Sequence, residues 1–212
     1  MHRPVIAALA SLALLSCSGE KPLTLPENGI DRAATCGVVA AAEARVATDV
    51  REVLPFEAQG RILHPALIVA SESGSFSGET ANQVSVRMTE LAEAIADGKW
   101  QDLVPTCRAA YPPIAKTEFD FPRSAFDARL GCNELADFVM TALQEQESDY
   151  VNELAEYRDL KQALENSLVA GLRGRAGSDR EAQQAERRKA LAAFATLGPP
   201  NLVLRQCIQR YG

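Results

Sequence analysis

Histidines and closely spaced cysteines are scarce in this chain of 212 residues, which excludes several kinds of catalytic site. The only histidines are His2 and His64, so a catalytic triad or a Cys–His nucleophile would depend on His64. Zinc sites need cysteines two to four residues apart, but among Cys36, Cys107, Cys132 and Cys207 the closest pair is Cys107 and Cys132. Haem-attachment and phosphate-loop motifs are also missing from the sequence. We therefore expect no metal and no cofactor, and we interpret His64 as a surface or capping residue.

Aromatic residues and runs of basic residues are also few, and their scarcity bears on the fold class and on the partners that the protein can bind. Aromatics make up 6% of the chain, and no segment alternates apolar and polar residues in the manner of a strand. Alanine, leucine, glutamate, glutamine and arginine are abundant instead, which favours helices. The formal net charge of −6 argues against nucleic acid, whose phosphates select a basic surface. The composition predicts an all-α protein that binds no nucleic acid.

The N-terminus carries a signal for export. A basic start at His2-Arg3 is followed by an apolar run from Val5 to Leu15, which is too short to cross a bilayer about 30 Å thick. The run ends in Leu14-Leu15-Ser16-Cys17, which resembles the lipobox of bacterial lipoproteins, where the cysteine is lipidated and becomes the N-terminal residue once the signal peptide is cleaved. The resemblance implies a signal peptide at 1–16, a lipid on Cys17 and a place on the periplasmic side of the envelope. Ser18 favours the outer membrane; the alternative is a plain signal peptide with Cys17 incidental.

The other four cysteines belong to a repeat with an offset of 100. In an exported protein an even set of cysteines predicts disulfides. Because two similar units should close in the same way, the repeat favours the pairs Cys36–Cys107 and Cys132–Cys207 over the other two connectivities. The recurring residues are Leu91, Ala92, Gly98, Cys107 and Tyr111, which return as Leu191, Ala192, Gly198, Cys207 and Tyr211.

The repeat predicts two tandem helical units of about four helices each, packed as a helical bundle. Residues 17–30 contain two prolines and two glycines, so we expect a lipidated N-terminus and a flexible tether. Fully extended, that tether could hold the body about 40 Å from the membrane. Unit 1 is expected at 31–116 and unit 2 at 117–212.

Within the units, helix boundaries follow from capping residues and prolines. Asp31 is the expected N-cap of a first helix that runs to Leu54, before Pro55. Ser124 should cap the first helix of unit 2. Residues 173–177 contain two glycines and are expected to form a loop, with Ser178 capping the next helix. Whether 124–172 form one helix or two is left open by the sequence.

Two positions stand out as candidates for function. Glu147-Ser148 resembles the Glu-Ser pair of lytic transglycosylases, but the apolar and glutamine-containing stretch that follows it in that family is missing here. We interpret Glu147 as part of a solvated charge run. Trp100 is the only tryptophan, and the corresponding residue in the other copy is Pro200. We interpret Trp100 either as a packing residue or as a partner contact.

These observations favour a non-catalytic binding or structural role in the envelope, with a membrane contact through the N-terminal lipid. The expected partner is an envelope protein or a cell-wall component, bound in a groove between the units. One alternative is an immunity or inhibitor protein against an exported hydrolase. The other is a carboxylate-dependent cell-wall hydrolase, which would need two acids converging in a cleft.

Overall fold

The computed structural model describes residues 23–49 and 51–212, and this part of the chain is all-α, as predicted. No strand occurs in the described part. Short 3₁₀ segments at Trp100–Leu103, Pro112–Ala115 and Gln144–Asp149 interrupt the α-helices. The signal peptide and Cys17 lie outside the described residues. The eight α-helices of the described part are α1 (Gly29–Arg45), α2 (Phe56–Val69), α3 (Gly78–Ala96), α4 (Val104–Ala110), α5 (Ala125–Ala142), α6 (Val151–Ala176), α7 (Arg180–Phe194) and α8 (Pro200–Tyr211).

Two disulfides close the helices in the pattern that the repeat favours. Cys36 in α1 is bonded to Cys107 in α4, and Cys132 in α5 is bonded to Cys207 in α8. Each bond joins the first and the fourth helix of a run of four. We refer to α1–α4 as the first half and to α5–α8 as the second half.

Helix α1 differs from the expectation at both ends. It begins at Gly29 because the Asn28 side chain, rather than Asp31, accepts the backbone N–H of Ile30 at 2.9 Å. It ends at Arg45, nine residues before the expected Leu54. The Arg45 guanidinium donates to the backbone oxygens of Asp49 and Glu52 at 3.1 and 2.5 Å, which stabilises a loop where the helix was expected to continue.

The predicted flexible tether is shorter than expected. Leu23 and Leu25 are half-buried and pack against the hydrophobic core of the first half. Arg32 Nε donates to the backbone oxygen of Pro26 at 3.1 Å and fixes the segment against the start of α1. The part of the tether that the structure describes, from residue 23 onward, is therefore attached to the body.

The first two helices of the second half are separate. A 3₁₀ segment at Gln144–Asp149 divides α5 from α6, and Gln146 within it has non-helical backbone angles. The loop expected at 173–177 is wrong, because α6 continues to Ala176 and only a short turn with Gly177 at φ 63° precedes α7. The cap of α7 is Asp179, which accepts the backbone N–H of Glu181 at 2.9 Å, and not Ser178.

The two halves meet across an apolar junction. The rings of Phe56 and Tyr150 lie 5.3 Å apart, and Leu67 of α2 belongs to the same core cluster as the buried residues of α5, α6 and α8. The Tyr150 hydroxyl donates to the backbone oxygen of Leu54 at 2.8 Å. Side chains fill the place where a groove between the units was expected, and the division into two units stays a prediction. None of the described helices is long and apolar enough to span a membrane.

Candidate functional site

A polar groove lies between helices of the second half rather than between the halves. Helices α5, α6 and α7 enclose a volume of about 590 Å³, which falls within the range of small-molecule sites. The buried side chain of Leu168 contributes an apolar surface, and the half-exposed Val169 lies beside it. The polar lining consists of Asn133, Glu134, Asp137, Lys161, Gln162, Glu165, Gln184 and Arg187.

An ion pair connects α5 and α7 at one side of this groove. Arg187 donates to Glu134 Oε1, and the Asn133 side chain donates to the same oxygen at 2.8 Å. The Glu134 side chain is only 13% exposed and that of Arg187 29%, so water screens this pair less than it screens a surface pair. The arrangement fixes the direction of the Glu134 carboxylate.

A second ion pair joins α5 to α6, and one acid lacks such a partner. Lys161 of α6 donates to Asp137 Oδ1. Glu165 lies one turn further along α6, lines the groove and is exposed, with no ion pair to any described residue. The groove therefore has one more acidic than basic side chain, and Glu165 is its exposed acid without an ion pair to a described residue.

The α5 residues that line the groove have equivalents in α1, and these equivalents are small or apolar and mostly buried. Counting from the cysteine in each helix, Gly37, Val38 and Ala41 correspond to Asn133, Glu134 and Asp137. Val38 is 7% exposed, and a Cβ on Gly37 would lie 2.7 Å from the Met88 methyl group. Small and apolar side chains thus occupy positions in the first half that are polar in the second.

Helix α7 shows the same contrast with α3. At the repeat offset of 100, Gln184 corresponds to Val84, which is completely buried in the first half. Gln184 is exposed and lines the groove. Two equivalent helix pairs therefore differ in the same way: apolar and closed in the first half, polar and open in the second.

The candidate residues from the sequence lie outside this groove. Trp100 starts the 3₁₀ segment after α3 and packs, half-buried, against the first half's core. Glu147 is exposed and pairs with Arg158 at 2.7 Å, in accord with a solvated charge run. The interpretation of His64 as a surface or capping residue is wrong: it is completely buried, with Nε2 2.8 Å from the backbone oxygen of Ala195.

The groove could have been found from the sequence by comparing the two copies helix by helix. Cys36 is followed by Gly37-Val38, whereas Cys132 is followed by Asn133-Glu134. This exchange of small and apolar residues for polar ones was the available signal.

Comparison of the chain with models of protein families, with curated proteins and with solved structures finds no match. The groove is therefore interpreted from its own residues.

Proposed function

We propose that this chain is an exported protein of the bacterial envelope, anchored by a lipid on Cys17, which binds a ligand in the polar groove of its second half. Its role is binding rather than catalysis. The serine after the lipidated cysteine favours the outer membrane as the place of attachment.

Export is supported by the N-terminal sequence and by the disulfides. The basic start, the short apolar run and the lipobox-like end form the order of a lipoprotein signal. Two disulfides favour an oxidising, extracytoplasmic compartment, since thiols in the cytosol are kept reduced.

The single observation that carries the binding role is the difference between equivalent helix positions. A groove lined with polar side chains forgoes the apolar burial that Val38 and Val84 provide in the first half. Burying an apolar side chain contributes about 2 kcal/mol, so a polar residue at the same position costs stability. A functional requirement would explain that cost. Binding of a polar ligand supplies such a requirement.

The charges in the groove favour binding over hydrolysis. Glycoside hydrolysis needs two carboxyl groups that flank the bond to be cleaved. The two acids of α5, Glu134 and Asp137, are instead each engaged by a cation from a neighbouring helix. These pairs make a fixed polar wall rather than an acid and a base.

The ligand we propose is a peptide or other small polar molecule with a primary amine. Glu165 offers the accessible carboxylate for that amine, and Gln162 and Gln184 can donate to and accept from amide groups. A hydrogen bond between an amine and a carboxylate contributes about 1.5–3 kcal/mol, enough to determine which ligands bind.

Calorimetry with the tripeptide Ala-Lys-Ala, acetylated at its N-terminus so that the lysine carries the only primary amine, and with its Nε-acetylated form tests this proposal. We expect the free amine to bind and acetylation to weaken binding by about tenfold, because a loss of 1.4 kcal/mol corresponds to tenfold in affinity. Glu165→Gln should weaken binding of Ala-Lys-Ala by a similar factor, with the helical circular dichroism unchanged.

Glu147→Gln is the matched control, since it makes the same change at an exposed acid outside the groove. It should leave affinity unchanged. No binding of Ala-Lys-Ala, or equal affinity for the wild type and Glu165→Gln, would contradict the proposed ligand class.

A further inference from the structure

The attachment of the N-terminal segment to the body has a consequence for how the protein lies on the membrane. Leu23 packs against Gly98, at the turn that follows α3: a Cβ on Gly98 would lie 2.7 Å from Leu23 Cδ1. Leu25 and Ile30 continue this contact along the core of the first half. The chain therefore leaves the body at one defined place, beside the C-terminal end of α3.

The length of chain between the lipid and this place is short. Six peptide units separate Cys17 from Leu23, and they can span at most about 20 Å. A lipid on Cys17 would thus hold the Gly98 turn within about 20 Å of the bilayer, half the distance that a free tether ending at residue 30 would allow.

Trp100 lies two residues beyond Gly98 and belongs to the same cluster as Leu23. It is half-buried, so part of the indole is accessible to whatever approaches this end. Tryptophan rings are enriched at the boundary between lipid and water, where an apolar ring with one polar N–H is well accommodated.

The geometry points to a membrane-facing end of the molecule formed by Leu23, the Gly98 turn and Trp100, with α3 directed away from the bilayer. This orientation rests on the proposed lipid anchor. We call this surface the proximal end.

Electrostatic attraction to lipid headgroups is not what holds the proximal end at the membrane. Glu27, Asp97 and Asp102 border the proximal end together with Lys99, so acids outnumber bases there. Attraction to anionic lipids requires clustered basic residues. The short tether and the indole ring hold the proximal end at the bilayer, and a zwitterionic bilayer is sufficient.

Helix α3 provides a ruler for testing the orientation. It ends at Ala96, beside the proximal end, and Asn82 lies fourteen residues before that end, which is about 21 Å along the helix. Asn82 is exposed, so a tryptophan can be placed there on the surface of the helix.

The experiment measures energy transfer from the single tryptophan to dansyl headgroups in phosphatidylcholine vesicles that contain the purified lipoprotein. Because transfer falls steeply with distance, Trp100 should lose about half of its emission or more at the separation that the tether permits. In the double variant Trp100→Phe/Asn82→Trp the loss should be several-fold smaller.

The intact mass of the same preparation separates the two proposals. With the acyl group present, equal or greater transfer from the tryptophan at position 82 would overturn the orientation and leave the anchor standing. A mass without an acyl group would overturn the anchor and the orientation together.

Discussion

His64 is a buried titratable residue at the junction between the halves. Its ring on α2 contacts the backbone oxygen of Ala195 after α7, and Nδ1 has no hydrogen-bond partner among the described residues. Burial lowers the pKa of His64 from 6.5 to about 4, with the nearby Lys116 adding to the effect and the hydrogen bond to Ala195 opposing it. The neutral ring is therefore the form that fits the folded protein.

This lowered pKa predicts a loss of stability in mild acid. Because the unfolded chain binds a proton near pH 6.5 and the folded protein only near pH 4, the contribution of His64 is intact above pH 6.5. It decreases as the pH falls toward 4. Between pH 7 and pH 5 the decrease should be about 2 kcal/mol.

Urea unfolding of wild type and His64→Gln at both pH values measures this effect. The glutamine can donate to Ala195 but does not titrate, and the carboxylates are common to both proteins. The wild type should lose about 2 kcal/mol more than the variant. Parallel losses in the two proteins would show that His64 is not the group responsible.

At the scale of the elements, α6 is the helix whose end the sequence predicts least well. Gly174 and Gly177 indicate a loop, yet the helix continues past Gly174 to Ala176. Arg175 explains the difference: its guanidinium lies 4.5 Å from the centre of the Phe126 ring and pairs with Asp127. These contacts hold the last turn of α6 against α5 and offset the cost of about 1 kcal/mol for a glycine within a helix.

Two glycine substitutions test this assignment. Gly174→Ala should stabilise the protein by up to about 1 kcal/mol, since the site is helical and a Cβ there meets nothing within 4 Å. Gly131→Ala should destabilise it by about 1–3 kcal/mol, because the new Cβ would lie 1.9 Å from the Phe194 ring.

Guanidinium unfolding gives both values. Destabilisation by Gly174→Ala would contradict a helix through residue 174, and a neutral Gly131→Ala would contradict the close approach of α5 to Phe194.

Other helices and caps could be predicted from local sequence signals, and there is a clear physical reason for this. The apolar residues Val84, Met88, Leu91 and Ile95 recur in the sequence at helical spacing and form the packed face of α3. Ser124, the expected cap of α5, accepts the Asp127 backbone N–H at 3.3 Å. Periodicity and capping involve neighbours within one turn, so a single sequence reveals them. The end of α1 and the end of α6 depend on an arginine that reaches loop carbonyls or another helix, which no local pattern contains.

At the scale of the whole molecule, the covalent frame follows from the repeat itself, whereas the groove emerges only from a comparison of the two copies. The repeat determined which cysteines pair because both copies keep the helix, the glycine and the cysteine in the same order. The position of the groove depends on three helices coming together, and its polar residues resemble ordinary surface residues when read one helix at a time. Only the comparison of Asn133 and Glu134 with the buried Gly37 and Val38 distinguishes them.

The most direct test of the proposal that Cys17 carries a lipid is labelling of growing bacteria with radioactive palmitate. The bacteria would express either the wild type or Cys17→Ser. The account predicts label in the wild type, in the membrane fraction, and none in the variant, which should be released as a soluble periplasmic protein. A wild type as unlabelled as Cys17→Ser would contradict the anchor on which the proposed place of action depends.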